Sequence, residues 1–109
     1  MITRALPEHA ARLTQLALDA KRHLGYPEHW INHWESDLTI TSDFINQNHV
    51  YIAEKAGEIL GFYALSVAGT KAELEHIWVT PASSGSSIGK DLFLDAMERA
   101  AKLSATKGT

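Results

Sequence analysis

The first chemical signal in this chain is seven residues long. Ser84-Gly85-Ser86-Ser87-Ile88-Gly89-Lys90 joins an apolar stretch ending at Val79 to a segment of helical period that begins at about Ile88. A strand that runs into a small-residue loop and then a helix builds an anion site. The first backbone N–H groups of the helix have no internal partner, and its dipole favours negative charge there. Phosphate is the ligand this context implies. The serine hydroxyls can donate to it, and Lys90 places a positive charge nearby. Read structurally, the same letters are a flexible Ser/Gly linker into a surface helix; the strand before and the helix after favour the anion.

Other residues with chemical capacity lie outside the loop. Glu73, Glu75 and His76 sit on the strand that precedes it. Read plainly, they are solvated carboxylates and a packed or exposed histidine. His29 and His33 are four apart on a helical segment, so both point the same way and have the spacing of a shared metal ligand pair. No glutamate follows His29 in the H-E-x-x-H manner and no third ligand is evident, so no metal is assigned. Tyr26, Trp30 and Trp34 are large aromatics, which most often pack a helix onto a sheet.

The elements that must position these residues read as follows. Met1 to Leu6 forms a short edge strand. Pro7 and Glu8 start a helix that runs to about His23 on the apolar run Ala10, Leu13, Leu16 or Ala17, Ala20, Leu24, and Gly25 stops it. Pro27 restarts a second helix through Trp30, Ile31, Trp34 and Leu38. Thr41 caps a short turn from Ser42 to Asn46. From His49 the period changes to two: Val50 to Glu54 is a strand, Lys55-Ala56-Gly57-Glu58 a hairpin turn, and Ile59 to Val67 the return strand. Both faces of the return strand are apolar, which places it centrally with helices on each side. Leu74 to Val79 is the next strand, stopped by Pro81, which has no N–H to donate.

The final helix carries an apolar stripe Ile88, Leu92, Ala96, Ala100, Leu103 and a polar one Asp91, Asp95, Glu98, Lys102, and is expected to end near Leu103. The order β-α-α-β-β-β-α is that of an α/β protein, a mixed α+β sandwich whose sheet begins antiparallel. Within the strand, the three-residue step from Leu74 to Ile77 breaks strict alternation. Either a β-bulge near Glu75 or His76 or the packing of Trp78 on the second face accounts for it.

These residues carry a resemblance. The segment V-T-P-A-S-S-G-S-S-I-G-K-D-L-F is similar to the acetyl-coenzyme-A-binding motif of the Gcn5-related N-acetyltransferases, Gln/Arg-x-x-Gly-x-Gly/Ala after a strand ending Val-x-Pro. Ser84 falls on the Gln/Arg position, Ser87 on the first glycine and Gly89 on the last Gly/Ala; Gly85 matches an extra glycine that many members carry. Upstream, Ala20 to Pro27 resembles a Lys-x-x-x-Gly-Tyr segment of one branch, and Ile59 to Leu65 the family's third strand. Two serines depart from the motif: Ser84 lacks the long polar side chain, and Ser87 adds a Cβ where backbone approaches the pyrophosphate. The family usually continues with a fifth strand, a helix and a closing hairpin, whereas only Ser104 to Thr109 follow the helix here.

The resemblance implies an acyl-coenzyme-A N-acyltransferase-like fold over a single domain, residues 1–109, lacking the usual C-terminal strands. It implies acetyl-coenzyme A as co-substrate, held by Ile77, Trp78, Val79, Ser84, Gly85, Ser86, Ser87, Ile88, Gly89 and Lys90, and direct transfer of acetyl to an amine of a small molecule or protein. Such transfer needs a base to neutralise the amine; Glu75, nearer the expected bulge, comes first and Glu73 second, with His76 as a substitute. Tyr26, Trp30 and Trp34 fall where the family places its acceptor wall. A different reading is a catalytically weak, shortened relative kept for dimerisation or assembly. An open sheet edge is a liability that proteins cover, so a homodimer is expected under either reading.

Composition bounds the rest. The 109 residues suit one domain with a true core. Ten basic against thirteen acidic residues give a formal charge of −3, without the clustered basic excess of a nucleic-acid binder. No apolar run reaches membrane-spanning length and the N-terminus has no signal-peptide core, so a cytoplasmic address is expected. With no cysteine there is no disulfide, thiolate nucleophile or thiolate metal site.

Overall fold

The computed structural model describes the backbone of residues 2–108 and the side chains of residues 2–30, 32–33 and 38–103. Four strands and four helices follow in order: β1 (Ile2–Arg4), α1 (Ala10–His23), α2 (Glu28–Leu38), α3 (Ser42–Gln47), β2 (His49–Lys55), β3 (Glu58–Ala68), β4 (Lys71–Val79) and α4 (Ser87–Gly108), with 3-10 turns at Pro7–His9 and Pro81–Ser83. The sheet order is β1-β2-β3-β4 and every pairing is antiparallel. The mixed α+β class is present, and the order of elements is the expected one except that a short helix, α3, stands where a capped turn is expected from the sequence.

Local chemistry sets the boundaries. His9 Nδ1 accepts from Leu6 N at 3.0 Å, closing the turn that leads into α1. Gly25, at φ 91°, ends α1 in the left-handed conformation that a glycine enters without a Cβ clash. Thr41 Oγ1 accepts from Phe44 N at 3.0 Å and caps α3. Ala56 and Gly57 both have positive φ, 53° and 82°, the signature of the two-residue hairpin turn whose twist matches the strands it joins.

The central strand β3 divides the core. Phe62 and Ala64 face one side, with Leu13, Leu16 and Ala17 of α1, Ile45 of α3 and Val50 and Ile52 of β2. Tyr63 and Leu65 face the other, under Leu92 and Ala96 of α4. All four β3 side chains are fully buried. Burying a side chain such as Leu92 stabilises the fold by about 1.5–3 kcal/mol, so α4 is fastened to the sheet by its apolar stripe. Ile88, Ala100 and Leu103 extend that stripe, as the period predicts.

The step from Leu74 to Ile77 has a clear cause. Ala64 pairs with His76 but Leu65 pairs with Leu74, which leaves Glu75 as the extra residue of a bulge. Leu74, Ile77 and Val79 consequently share the α4 face, while Trp78 packs on the α1 face. Both expected explanations of the pattern hold together. One expectation needs correction: α4 continues to Gly108 rather than ending near Leu103. Its apolar periodicity stops at Leu103, but Ser-Ala-Thr-Lys contains no breaker, and helix propensity carries the backbone on to the glycine.

Candidate functional site

The site is built where β4 ends. Thr80 N donates to Leu60 O at 2.9 Å, the last bond tying this segment to the sheet. Pro81 then forces a tight turn in which Ser83 N donates to Thr80 O and Ser84 N to Pro81 O. Thr80 Oγ1 donates to Ser83 Oγ at 3.0 Å, and Ser83 is buried. Ser86 N and Ser86 Oγ both donate to Ser83 O. The hydroxyl of Ser86 in turn accepts from Ile88 N at 3.3 Å and so caps α4. A helix start leaves the N–H groups of Ser87 and Gly89 without an intrahelical acceptor. Gly85, at φ 84°, makes the reversal between turn and helix.

These bonds sort the loop residues by use. Ser83 and Ser86 spend their hydroxyls inside the loop, whereas Ser84, Ser87 and Lys90 face solvent. Ile88 turns its side chain into the core, leaving only its backbone to the site. A cavity of about 200 Å³ opens alongside, lined by Ala20, His23 and Leu24 from the end of α1, Ile77, Trp78 and Val79 from β4, and Ser84. Of the candidates, Ile77, Trp78, Val79 and Ser84 line this cleft, whereas Gly85 to Lys90 are not among its walls. Gly89 tests whether that cleft suits a phosphate-bearing ligand. A Cβ added there would meet only Val79 Cγ1, at an ordinary 3.8 Å, so packing within the protein does not demand glycine. The bare backbone leaves room directly over the helix start, where an anion is held.

The titratable candidates lie along β4. Glu75, the bulged residue, is exposed and its Oε2 accepts from Ser66 Oγ at 2.8 Å. Glu73 is instead drawn into an exposed ion pair with Lys71 at 3.4 Å. His76 is half-buried against the rings of Phe44 and Phe62. Burial lowers its pKa below 6.5, and the Glu75 carboxylate offsets part of that effect. Trp78 Nε1 donates to His76 Nδ1 at 3.2 Å, which fixes Nδ1 as the unprotonated nitrogen.

Tyr26 and Trp30 do not pack α2 onto the sheet. They are 38% and 47% exposed, with ring centroids 6.4 Å apart, and form an aromatic surface at the end of α1. The expectation of core packing fails because α2 meets α1 and leaves both rings at the surface. The side chain of Trp34 lies outside the described residues. His29 and His33 are exposed, and no group of three or more His, Asp or Glu that could hold a metal occurs among the described residues.

A family model described as the acetyltransferase (GNAT) family matches residues 10–108 of this chain. The chain belongs to the acetyltransferase (GNAT) family. Among solved structures, it is similar to the PaiA N-acetyltransferase of Thermoplasma acidophilum in complex with coenzyme A, with a TM-score of 0.78 and 22% identity over 94% of this chain and 72% of that one. It is similar to a GNAT family acetyltransferase of Brucella melitensis in complex with acetyl-CoA, with a TM-score of 0.69 and 21% identity over 94% of this chain and 68% of that one. It is also similar to the IAA acetyltransferase of Bacillus cereus, with a TM-score of 0.63 and 24% identity over 94% of this chain, but it spans only 58% of that protein's length. At these identities the likeness is one of fold. No curated protein matches by sequence.

Two features of this GNAT chain escape sequence reading. One is a cavity of about 480 Å³ on the far side of the Pro81–Ser83 turn, where His9 and Arg12 face the Gly57–Leu60 end of the β2–β3 hairpin. The other is a polar cluster inside the α4 face. Tyr63 donates its hydroxyl hydrogen to Asp95, and Arg99 Nε donates to the same hydroxyl at 2.9 Å. The Arg99 guanidinium lies 3.8 Å from the centroid of Tyr51, whose ring stacks on Tyr63. Burial, then the bond to Asp95, raises the Tyr63 pKa far above its ordinary value. The clue was the two carboxylate and guanidinium positions one helical turn apart, Asp95 and Arg99, against a tyrosine on the central strand.

Proposed function

We propose that this chain binds acetyl-coenzyme A in the cleft between α1, β4 and the start of α4 and transfers the acetyl group directly to an amine. The observation that carries this reading is Gly89: it stands in the first turn of α4, its missing Cβ is not needed for packing, and the one atom such a Cβ would meet belongs to Val79, a wall of the cleft. The N-terminal N–H groups of α4, with Lys90, hold the pyrophosphate. β4 is an edge strand, so half of its backbone groups face away from β3, and Ile77 to Val79 offer them to the amides of the pantetheine arm. When bound, acetyl-coenzyme A supplies an activated thioester carbonyl. Glu75, freed from the ladder by its bulge, takes the proton from the acceptor amine, directly or through water. Tyr26 and Trp30 form the exposed aromatic wall toward which the acceptor comes.

Calorimetric titration with acetyl-coenzyme A tests the reading, with Gly89→Trp as the control. Saturable binding abolished by the substitution is expected. Absence of binding at millimolar ligand overturns it.

The same reading includes a homodimer and a cytoplasmic setting. Support for the dimer comes from Phe93, Leu94 and Met97, which expose apolar surface on α4. Light scattering that returns a clean monomer overturns it. No described helix is long and apolar enough to cross a membrane.

A further inference from the structure

Lys21 stands on α1 beside Ala20, near the end of the helix. Its Nζ lies 4.7 Å from the centroid of the Tyr26 ring and 5.4 Å from that of Trp78, both within the range of a cation–π contact. The two rings come from different elements, the α1–α2 connection and β4. Trp78 is also a wall of the 200 Å³ cleft, and so are Ala20, His23 and Leu24, which surround Lys21 in sequence. The chain thus carries a primary amine of its own at the lip of the cleft.

We propose that Lys21 is an acetylation site, modified in cis by acetyl-coenzyme A bound in this cleft; the proposal rests on the cofactor reading given above. Lys21 first loses a proton to solvent, and its neutral nitrogen attacks the thioester carbonyl carbon. A C–N bond forms, the C–S bond breaks, and the departing thiolate takes up a proton to leave as coenzyme A. The two rings hold the ammonium in place before it is deprotonated, so the amine is positioned rather than diffusing, and positioning of this kind shortens the path to reaction. Acetylation converts the ammonium to a neutral amide and removes the internal cation from both rings. An external ammonium then meets an aromatic surface without a resident positive charge.

The test incubates the purified full chain with acetyl-coenzyme A and follows each lysine by peptide mass spectrometry. Lys21 is expected to gain one acetyl group about tenfold or more faster than Lys71 or Lys102. The reaction should be first order, with a rate independent of protein concentration, and lost in Gly89→Trp. Lys21→Arg should leave the remaining lysines unmodified on the same timescale. A second readout needs no transfer by the protein: coenzyme A lacking the acetyl group should protect Lys21, but not Lys71, from labelling by acetic anhydride. Calorimetric binding with Lys21 neither modified nor protected overturns the proposal and leaves the cofactor reading standing. A rate that rises with protein concentration overturns the cis route, and labelling that persists in Gly89→Trp overturns the role of the cleft. No calorimetric binding overturns both readings together.

Discussion

Leu92 Cδ1 lies 2.7 Å from where a Cβ on Gly61 would stand, and Trp78 O lies 2.8 Å from it. Side-chain and backbone atoms from two neighbouring elements thus close on one hydrogen. Gly61 is in β3, the strand that separates the two cores, and its lack of a side chain is what lets α4 settle on the sheet beside β4. Gly61→Ala is expected to destabilise the protein by about 1–3 kcal/mol, the usual cost of overpacking a well-filled site. Leu92→Ala alone should cost about 2–5 kcal/mol through the cavity it opens. Chemical denaturation of both variants and the double variant checks this. Because the two residues touch, the double variant should be less destabilised than the sum, and strict additivity would show that the contact does not matter.

Gly89 separates stability from binding. It sits in the first turn of α4 with φ in the ordinary range, and an added Cβ would make only an ordinary contact with Val79 Cγ1. Gly89→Ala is therefore expected to stabilise the helix, by at most about 1 kcal/mol. The same methyl group should weaken coenzyme A binding by about tenfold, equivalent to about 1.4 kcal/mol. Thermal denaturation and calorimetry on one variant read the two effects with opposite signs. Loss of stability together with binding would mean that the glycine serves the fold after all.

Much of this was legible because local patterns and tertiary demands agree. Val50, Ile52, Phe62 and Ala64 alternate in sequence and are buried on one face, and the Ile88–Leu92–Ala96 stripe packs as its period requires. The bulge was legible because an extra residue shifts the phase of alternation between Leu74 and Ile77. What was not legible depends on placement across long sequence separations. Asp95 reads as part of a polar surface stripe, yet it turns toward Tyr63, thirty-two residues away on a different element. Tyr26 and Trp30 read as core because large aromatics usually are, yet both rings stay at the surface where α2 meets α1. Lys21 stands in the Lys-x-x-x-Gly-Tyr segment, but its place between two rings is not legible there, since Tyr26 and Trp78 lie five and fifty-seven positions further along the chain.

The Tyr63–Asp95–Arg99 cluster predicts a stability effect without a binding effect. Asp95→Ala removes the acceptor of a buried hydroxyl and one partner of Arg99, so it should cost about 1–3 kcal/mol. Tyr63→Phe leaves Asp95 its contact with Arg99 and should cost less. Since the three groups share one network, the double variant Tyr63→Phe with Asp95→Ala should be less destabilised than the sum of the singles. Coenzyme A affinity, measured by calorimetry, should be unchanged in each. A large loss of affinity in Tyr63→Phe would tie the cluster to the site rather than to the fold.

Glu75 and Glu73 are two residues apart but differ in what surrounds them. The bulge takes Glu75 out of the β3–β4 pairing, whereas Glu73 pairs with Ser66 and is engaged by Lys71. If Glu75 takes the proton from the acceptor, Glu75→Gln should lower kcat by about 10²–10⁴-fold, the usual share of a general base. The KM for acetyl-coenzyme A should change little, because the side chain does not meet the anion loop. Glu73→Gln should retain nearly full activity. Steady-state kinetics with a primary amine acceptor decides it, and equal losses in the two variants would remove Glu75 from the mechanism.

Two histidines make the fold sensitive to acid. Burial lowers the His76 pKa below 6.5, and burial together with the nearby Arg4 and Arg99 charges lowers that of His49. For each, the folded state resists a proton that the unfolded chain accepts. Stability contributed by the neutral rings is therefore complete above pH 6.5 and is lost as pH falls through the lower, folded values. Denaturation midpoints should be flat between neutral and mildly alkaline pH and then decline on the acid side, before carboxylates begin to titrate. His76→Phe should make that decline shallower, because the variant has no proton to gain. It should also cost about 1 kcal/mol at neutral pH, since the Trp78 indole N–H loses its acceptor. Adding His49→Asn should flatten the profile further. If the double variant loses stability with acid as steeply as the parent, the decline belongs to groups other than these two rings.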